Sequence, residues 1–100
     1  MKVIAVGTLR DFWARHPDAE QPLKAWYDEA KHAVWRTPQD IRQRYPRASF
    51  VGHSPVGFQI KGNDTRVIVA VAYRFQAIYI KFIGTHTEYD RVDAATVEAP

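Results

Sequence analysis

Gly62-Asn63-Asp64 separates two runs whose alternation leaves little freedom, GFQIK before it and RVIVAVAYR after it. Turn residues between β-branched runs predict a hairpin, with Asn63-Asp64 as its two-residue loop. Lys61 then lies opposite Arg66, Ile60 opposite Val67, and Phe58 opposite Val69. A second hairpin, turning at Phe75-Gln76 into AIYIKFIG, sets Tyr73 against Ile78, Val71 against Ile80, and Val69 against Phe82. The two hairpins agree. Phe58, Ile60, Val67, Val69, Val71, Tyr73, Ile78, Ile80 and Phe82 share one face, and a one-residue slip would break it. The opposite face holds Gln59, Lys61, Arg66, Tyr79 and Lys81, with Arg66 across from Thr85.

Something must cover the apolar face, and the first half of the chain supplies it. KVIAV predicts a strand over Lys2 to Val6. Thr8 then stands as an N-cap, and the helix it opens stops at His16-Pro17. A second helix, about Asp18 to Trp35, carries Leu23, Trp26, Tyr27, Ala30 and Val34 at the spacing of one buried face. TPQD restarts helix, with Thr37 as N-cap, Pro38 at the first helical position and Asp40 as the capping carboxylate. Tyr45-Pro46 ends it. SFVG adds a further short strand. The order is therefore a strand, two or three helices, three or four antiparallel strands and a short helical tail. This is an α+β arrangement, and residues 1–100 read as a single domain.

The chain has no cysteine, which excludes disulfides and thiolate chemistry and suits a reducing cytosol. The N-terminal apolar run is too short for a signal peptide, and no stretch could span a bilayer, so a soluble intracellular protein is expected. His16, His32 and His53 show no metal-ligand spacing with one another or with carboxylates, so no metal site and no cofactor is assigned. There is no Gly-rich phosphate loop and no serine elbow. The net charge of +3 leans toward a polyanionic partner only if the cations cluster.

They do cluster. A single lysine on the open side of a sheet reads as solvated surface, but Lys61, Arg66 and Lys81 beside Tyr79 read together as a phosphate-contacting, RNA-binding surface. The last strand runs into THTEYD, where Thr85 and Glu88 have capping-box spacing. His86 then stands in the first turn of a helix, with Tyr89 and Asp90 on its i+3 and i+4 side. A helix N-terminus favours a bound phosphate and disfavours a charged imidazole, which leaves His86 able to accept a proton. Arg66 can neutralise phosphate charge, and Tyr89 can stack on a base or donate a proton. Metal-free RNA cleavage requires such parts: a base for the 2′-hydroxyl, cations for the phosphoryl transition state, and an acid for the leaving oxygen.

GNDTRVIVAVAYRFQAIYIKFIGTHTEYDRVD resembles the C-terminal half of HigB-type toxins of bacterial toxin–antitoxin pairs, within the wider RelE-like superfamily. LKAWYDEAKHAVWRTPQDIRQRYPRASFV resembles the helical region of the same family, through Trp26, Trp35, Pro38 and Asp40. The most specific pieces are Gly62-Asn63 followed by Arg66, and Gly84-Thr85-His86 followed by Glu88-Tyr89-Asp90. The resemblance implies a RelE-like α+β fold, with the N-terminal strand and helices packed on one face of a mainly antiparallel sheet and a short C-terminal helix. It implies a cytoplasmic toxin that cleaves messenger RNA, commonly on translating ribosomes, and is held inactive by a HigA-type antitoxin. Carried over, the catalytic residues are Arg66, Lys81, His86 and Tyr89. Two other readings stand beside it. One is a non-catalytic toxin like the gyrase-inhibiting ParE branch, which has no need of the His-Tyr pair. The other is an RNA-binding module without turnover, for which the aromatic motifs of common single-strand binders are missing.

Overall fold

The alternation across the second half of the chain builds the antiparallel part of a five-stranded sheet, in the order β1-β5-β4-β3-β2. The computed structural model describes residues 1–50, 55–60 and 65–90, except for the side chains of Tyr89 and Asp90. The strands are β1 (Lys2–Ile4), β2 (Ser49–Phe50), β3 (Pro55–Ile60), β4 (Thr65–Ala72) and β5 (Ala77–Thr85). The helices are α1 (Val6–Arg15), α2 (Glu20–His32), α3 (Pro38–Arg44) and α4 (His86–Asp90). Neighbours from β2 to β5 pair antiparallel, while β1 joins β5 in parallel. The expected α+β arrangement is present.

The first three helices lie on one face. Leu9 and Phe12 of α1, Leu23, Trp26 and Ala30 of α2, and Ile41 of α3 form one core with Val56, Phe58, Val67, Val69, Ile78 and Ile80 of the sheet. Phe58 sits at its aromatic centre, with the rings of Tyr45, Trp26 and Trp35 at 5.0, 5.3 and 6.2 Å. Phe58 is fully buried. Truncating it to alanine is therefore expected to cost about 3–5 kcal/mol.

Local chemistry shifts several boundaries from those expected. β1 ends at Ile4 because Ala5 adopts a left-handed conformation, φ 71° and ψ 36°, which turns the chain straight into α1. Thr8 is consequently inside that helix rather than its N-cap, and its backbone N–H donates to the Ala5 carbonyl at 3.0 Å. A 3₁₀ turn over Pro17–Ala19 precedes α2. That helix stops at His32, because the α-ammonium of Met1 takes the carbonyls of Ala30, Lys31 and Ala33 at 3.0, 3.0 and 2.6 Å. Ala33 is extended, so Val34 leaves the helical face and is 64% exposed, while Trp35 swings into the core. The expected burial of Val34 is thus corrected. α3 forms as its sequence dictates. The Thr37 hydroxyl accepts from the Asp40 N–H, and the Asp40 carboxylate accepts from the N–H groups of Thr37 and Arg36.

Both hairpin registers differ from those expected, by two residues each. Phe58 pairs with Val67 and Ile60 with Thr65, and the expected two-residue loop at Asn63-Asp64 lies outside the described residues. Likewise Val71 pairs with Ile78 and Val69 with Ile80, across a Tyr73 to Gln76 turn. An even slip preserves which face each side chain occupies, so the apolar face survives. Arg66 lies opposite Gln59 and Gly84, not opposite Lys61 and Thr85.

An odd slip follows. Val69 faces Ile80 but Ile68 faces Phe82, which leaves Lys81 as the extra residue of a β-bulge. Beyond it the faces of β5 exchange. Ile83, opposite Val67, packs against the core, and Phe82 moves to the far face beside Ile68. Phe82 is therefore not part of the helix-covered layer, contrary to the strict alternation. Among the described residues, no helix is long and apolar enough to cross a membrane.

Candidate active site

Arg66 projects from β4 on the face away from the three N-terminal helices, yet it is only 8% exposed. A guanidinium is costly to bury, so its position needs partners. One is His86, the first residue of α4, whose Nδ1 lies 3.3 Å from Arg66 Nη2. Arginine can only donate, so Nδ1 accepts and the ring proton of His86 resides on Nε2. The contact joins two of the four residues expected to carry the chemistry.

α4 is positioned by the capping box read from the sequence. The Thr85 N–H donates to Glu88 Oε1 at 2.8 Å, and the Glu88 N–H donates to Thr85 Oγ1 at 3.2 Å. The Thr85 N–H is the main reason why the Glu88 carboxyl lies below the usual glutamate range, with His16 and Arg15 at the end of α1 adding to it and partial burial opposing it. Gly84 permits this turn to close. A Cβ at this position would fall 2.6 Å from Phe82 Cζ and 3.1 Å from Glu88 Oε1. The ring of Phe82, brought to this face by the bulge, thus occupies the place a side chain at 84 would need, directly across the ladder from Arg66.

The remaining expected residues divide. Tyr79 is 42% exposed on the same face as Arg66, but its rung, shared with Ala70, is about 15 Å back along β5. It is not brought to the Arg66–His86 pair. Lys81 is the half-buried bulge residue. Tyr89 belongs to α4, and its side chain lies outside the described residues, as does all of Lys61. His16 stacks on Phe12 with ring centroids 4.2 Å apart, and His32 Nδ1 lies 2.8 Å from the Asp28 carbonyl. His53 also falls outside the described residues.

Two neighbours of the pair were not singled out from sequence for the chemistry. Gln59 pairs with Arg66 across the β3–β4 ladder, in place of the expected Lys61. Phe82 reaches this face only through the bulge, for which the run KFIG carries no signal of its own. The arrangement can hold a phosphate against the guanidinium with an imidazole alongside, which suits proton transfer at a phosphodiester.

Comparison with known proteins points the same way. Residues 19–92 match the model of the HigB toxin family, described as the RelE-like toxic component of a toxin–antitoxin system. The mRNA interferase toxin HigB of Escherichia coli K12 is 25% identical over 92 residues, covering 90% of this chain and 88% of that protein. The mRNA interferase HigB of Escherichia coli O6:H1 strain CFT073 is 22% identical over 94 residues, covering 92% of this chain and 91% of that protein. With most of its length matched, its helices on one face of a mainly antiparallel sheet and a capped C-terminal helix, the chain belongs to the HigB family of RelE-like toxins.

Proposed function

We propose that this toxin is a metal-independent endoribonuclease that cuts messenger RNA in the cytoplasm, on translating ribosomes, and that a HigA-type antitoxin holds it inactive. The family supplies the antitoxin partner, and the curated relatives carry the name mRNA interferase. The observation that carries the chemistry is the contact between Arg66 Nη2 and His86 Nδ1. A phosphate entering beside Arg66 competes for the guanidinium and releases the Nδ1 lone pair. That lone pair takes the 2′-hydroxyl proton as the 2′-oxygen attacks phosphorus. Arg66 stabilises the charge gathered on the non-bridging oxygens. The 5′-oxygen departs with a proton, supplied in this reading by Tyr89, while Lys81 adds positive charge. The products are a 2′,3′-cyclic phosphate and a 5′-hydroxyl.

The test is to incubate the purified toxin with programmed ribosomes, and with free message, and to identify the cut ends. A 2′,3′-cyclic phosphate or its 3′-phosphate hydrolysis product is expected, whereas a 3′-hydroxyl end would overturn the mechanism. Bound but intact RNA would instead support a module without turnover. Arrested gyrase with intact RNA would support the ParE-like reading. The expected antitoxin effect is loss of cleavage on co-expression.

A further inference from the structure

Where β2 stops, β3 runs on. The two pair Phe50 with Val56 and Ser49 with Gly57. Continued in the same register, the ladder would set Ala48 against Phe58 and Arg47 against Gln59. Instead the chain turns away, the Ala48 N–H donating to the Tyr45 carbonyl at 3.0 Å. A groove of about 320 Å³ opens between the 44–48 segment and the exposed edge of β3 at Phe58 and Gln59. That is the lower end of the size range for small-molecule sites.

Its chemistry is one-sided. Tyr45, Pro46 and Ala48 give it an apolar wall, and among the described residues no carboxylate lines it. Arg47 is exposed at its rim. Arg44 is tied to Glu29 at 2.6 Å, and Arg42 lies over the Phe50 ring at 4.4 Å, whereas Arg47 has neither an ion pair nor a ring contact among the described residues. An apolar wall with a cation at its edge matches a base and its phosphate, and base stacking of this kind tolerates any sequence.

Its position is also informative. Gln59, which forms one side of the groove, pairs directly with Arg66. The row Gly84, Arg66, Gln59 thus crosses the sheet perpendicular to the strands and runs into the groove. Two strand spacings, about 10 Å, separate Arg66 from the groove. A single strand seated at Arg66 reaches that far within one or two nucleotides.

We propose that this groove is a subsite for a nucleotide flanking the scissile phosphate of the messenger strand, with its base against Tyr45, Pro46 and Ala48 and its phosphate on Arg47. The proposal rests on the reading of Arg66 and His86 as the cleavage site. It makes the α3–β2 turn a contributor to affinity for longer strands, whatever the flanking base.

The probe is a set of RNA oligonucleotides carrying a 2′-deoxy sugar at the cleavage position, titrated into the full ¹⁵N-labelled chain. A dinucleotide should shift the amides of Arg66, Gly84 and His86. Lengthening it by two nucleotides on either side should add Arg47, Ala48 and Gln59. Removing the base of the flanking nucleotide should abolish the added shifts. Arg47→Ala should leave dinucleotide binding and the melting temperature unchanged, while lowering the salt slope for the longer oligonucleotide by about 0.7. Shifts confined to Arg66, Gly84 and His86 at every length, or an unchanged salt slope, would overturn the subsite and leave the cleavage site standing. Groove shifts without site shifts would separate the groove from cleavage and defeat the proposal. If no oligonucleotide moves the Arg66 and His86 amides, the cleavage reading fails, and the subsite fails with it.

Discussion

Because a guanidinium has no lone pair to offer, the Arg66–His86 contact determines which ring nitrogen of His86 is the acceptor. The imidazole ¹⁵N spectrum of the free toxin should accordingly show protonation at Nε2, and the opposite tautomer would contradict the contact. The two residues should also fail differently. His86→Ala removes a proton-transfer group, which typically contributes about 10²–10⁴-fold, so turnover should fall by that much with RNA binding retained. Arg66→Ala should weaken both, because charge stabilisation and phosphate contact disappear together. Steady-state cleavage beside binding to a 2′-deoxy oligonucleotide distinguishes the two cases. Gly84→Ala should be destabilising by about 1–3 kcal/mol in urea unfolding, since its Cβ would meet the Phe82 ring at 2.6 Å. Arg66 and His86 were legible in the sequence because one falls on the polar parity of a strand and the other follows a capping signal. Phe82 was not, because a bulge reverses parity without any distinctive residue.

At the scale of elements, the two hairpins explain how a wrong register could still place the core correctly. Each strand pair is shifted by an even number of residues, and faces repeat with that period. The bulge at Lys81 is the odd exception, and it lies beside the candidate site. Deleting Lys81 should restore plain alternation, driving Phe82 toward the core and Ile83 out of it. Cleavage should be lost, and a variant that kept full activity would show the bulge to be incidental. α4 carries its own test. The Glu88 carboxyl is held below its ordinary value of 4.5, chiefly by the Thr85 N–H. A depressed acid stabilises the fold above its ordinary value, and that contribution fades as pH falls through the lower folded-state value. Protection of the Thr85 amide from exchange should therefore decline in that acidic window and hold constant at neutral pH. α2 taught the opposite lesson to α3. Thr37, Pro38 and Asp40 announce their helix locally, whereas α2 ends where Met1, far upstream in the chain, caps it, and no local pattern near Val34 could say so.

For the molecule as a whole, that distant cap is a vulnerable point. Joining a further segment ahead of Met1 converts the ammonium to an amide with a single N–H, which can serve at most one of the carbonyls of Ala30, Lys31 and Ala33. Buried groups left without partners cost about 1–3 kcal/mol, so an N-terminal tag should lower the melting temperature more than the same tag at the other end. Cleavage, by contrast, should not respond to EDTA in an assay whose ribosomes need no added magnesium, since the proposed chemistry uses only protein side chains.

The parallel pairing of β1 with β5 has a consequence in time. A chain is made from its N-terminus onward, so β1 emerges long before Ala77, Ile78 and Tyr79, the residues it pairs with, exist. Arg66 likewise waits for Gly84 across the ladder and for the imidazole of His86. The N-terminal edge and the candidate catalytic pair are completed by the same late stretch of chain, β5 and α4. A chain still being translated therefore carries its first three helices before the stretch that brings His86 to Arg66.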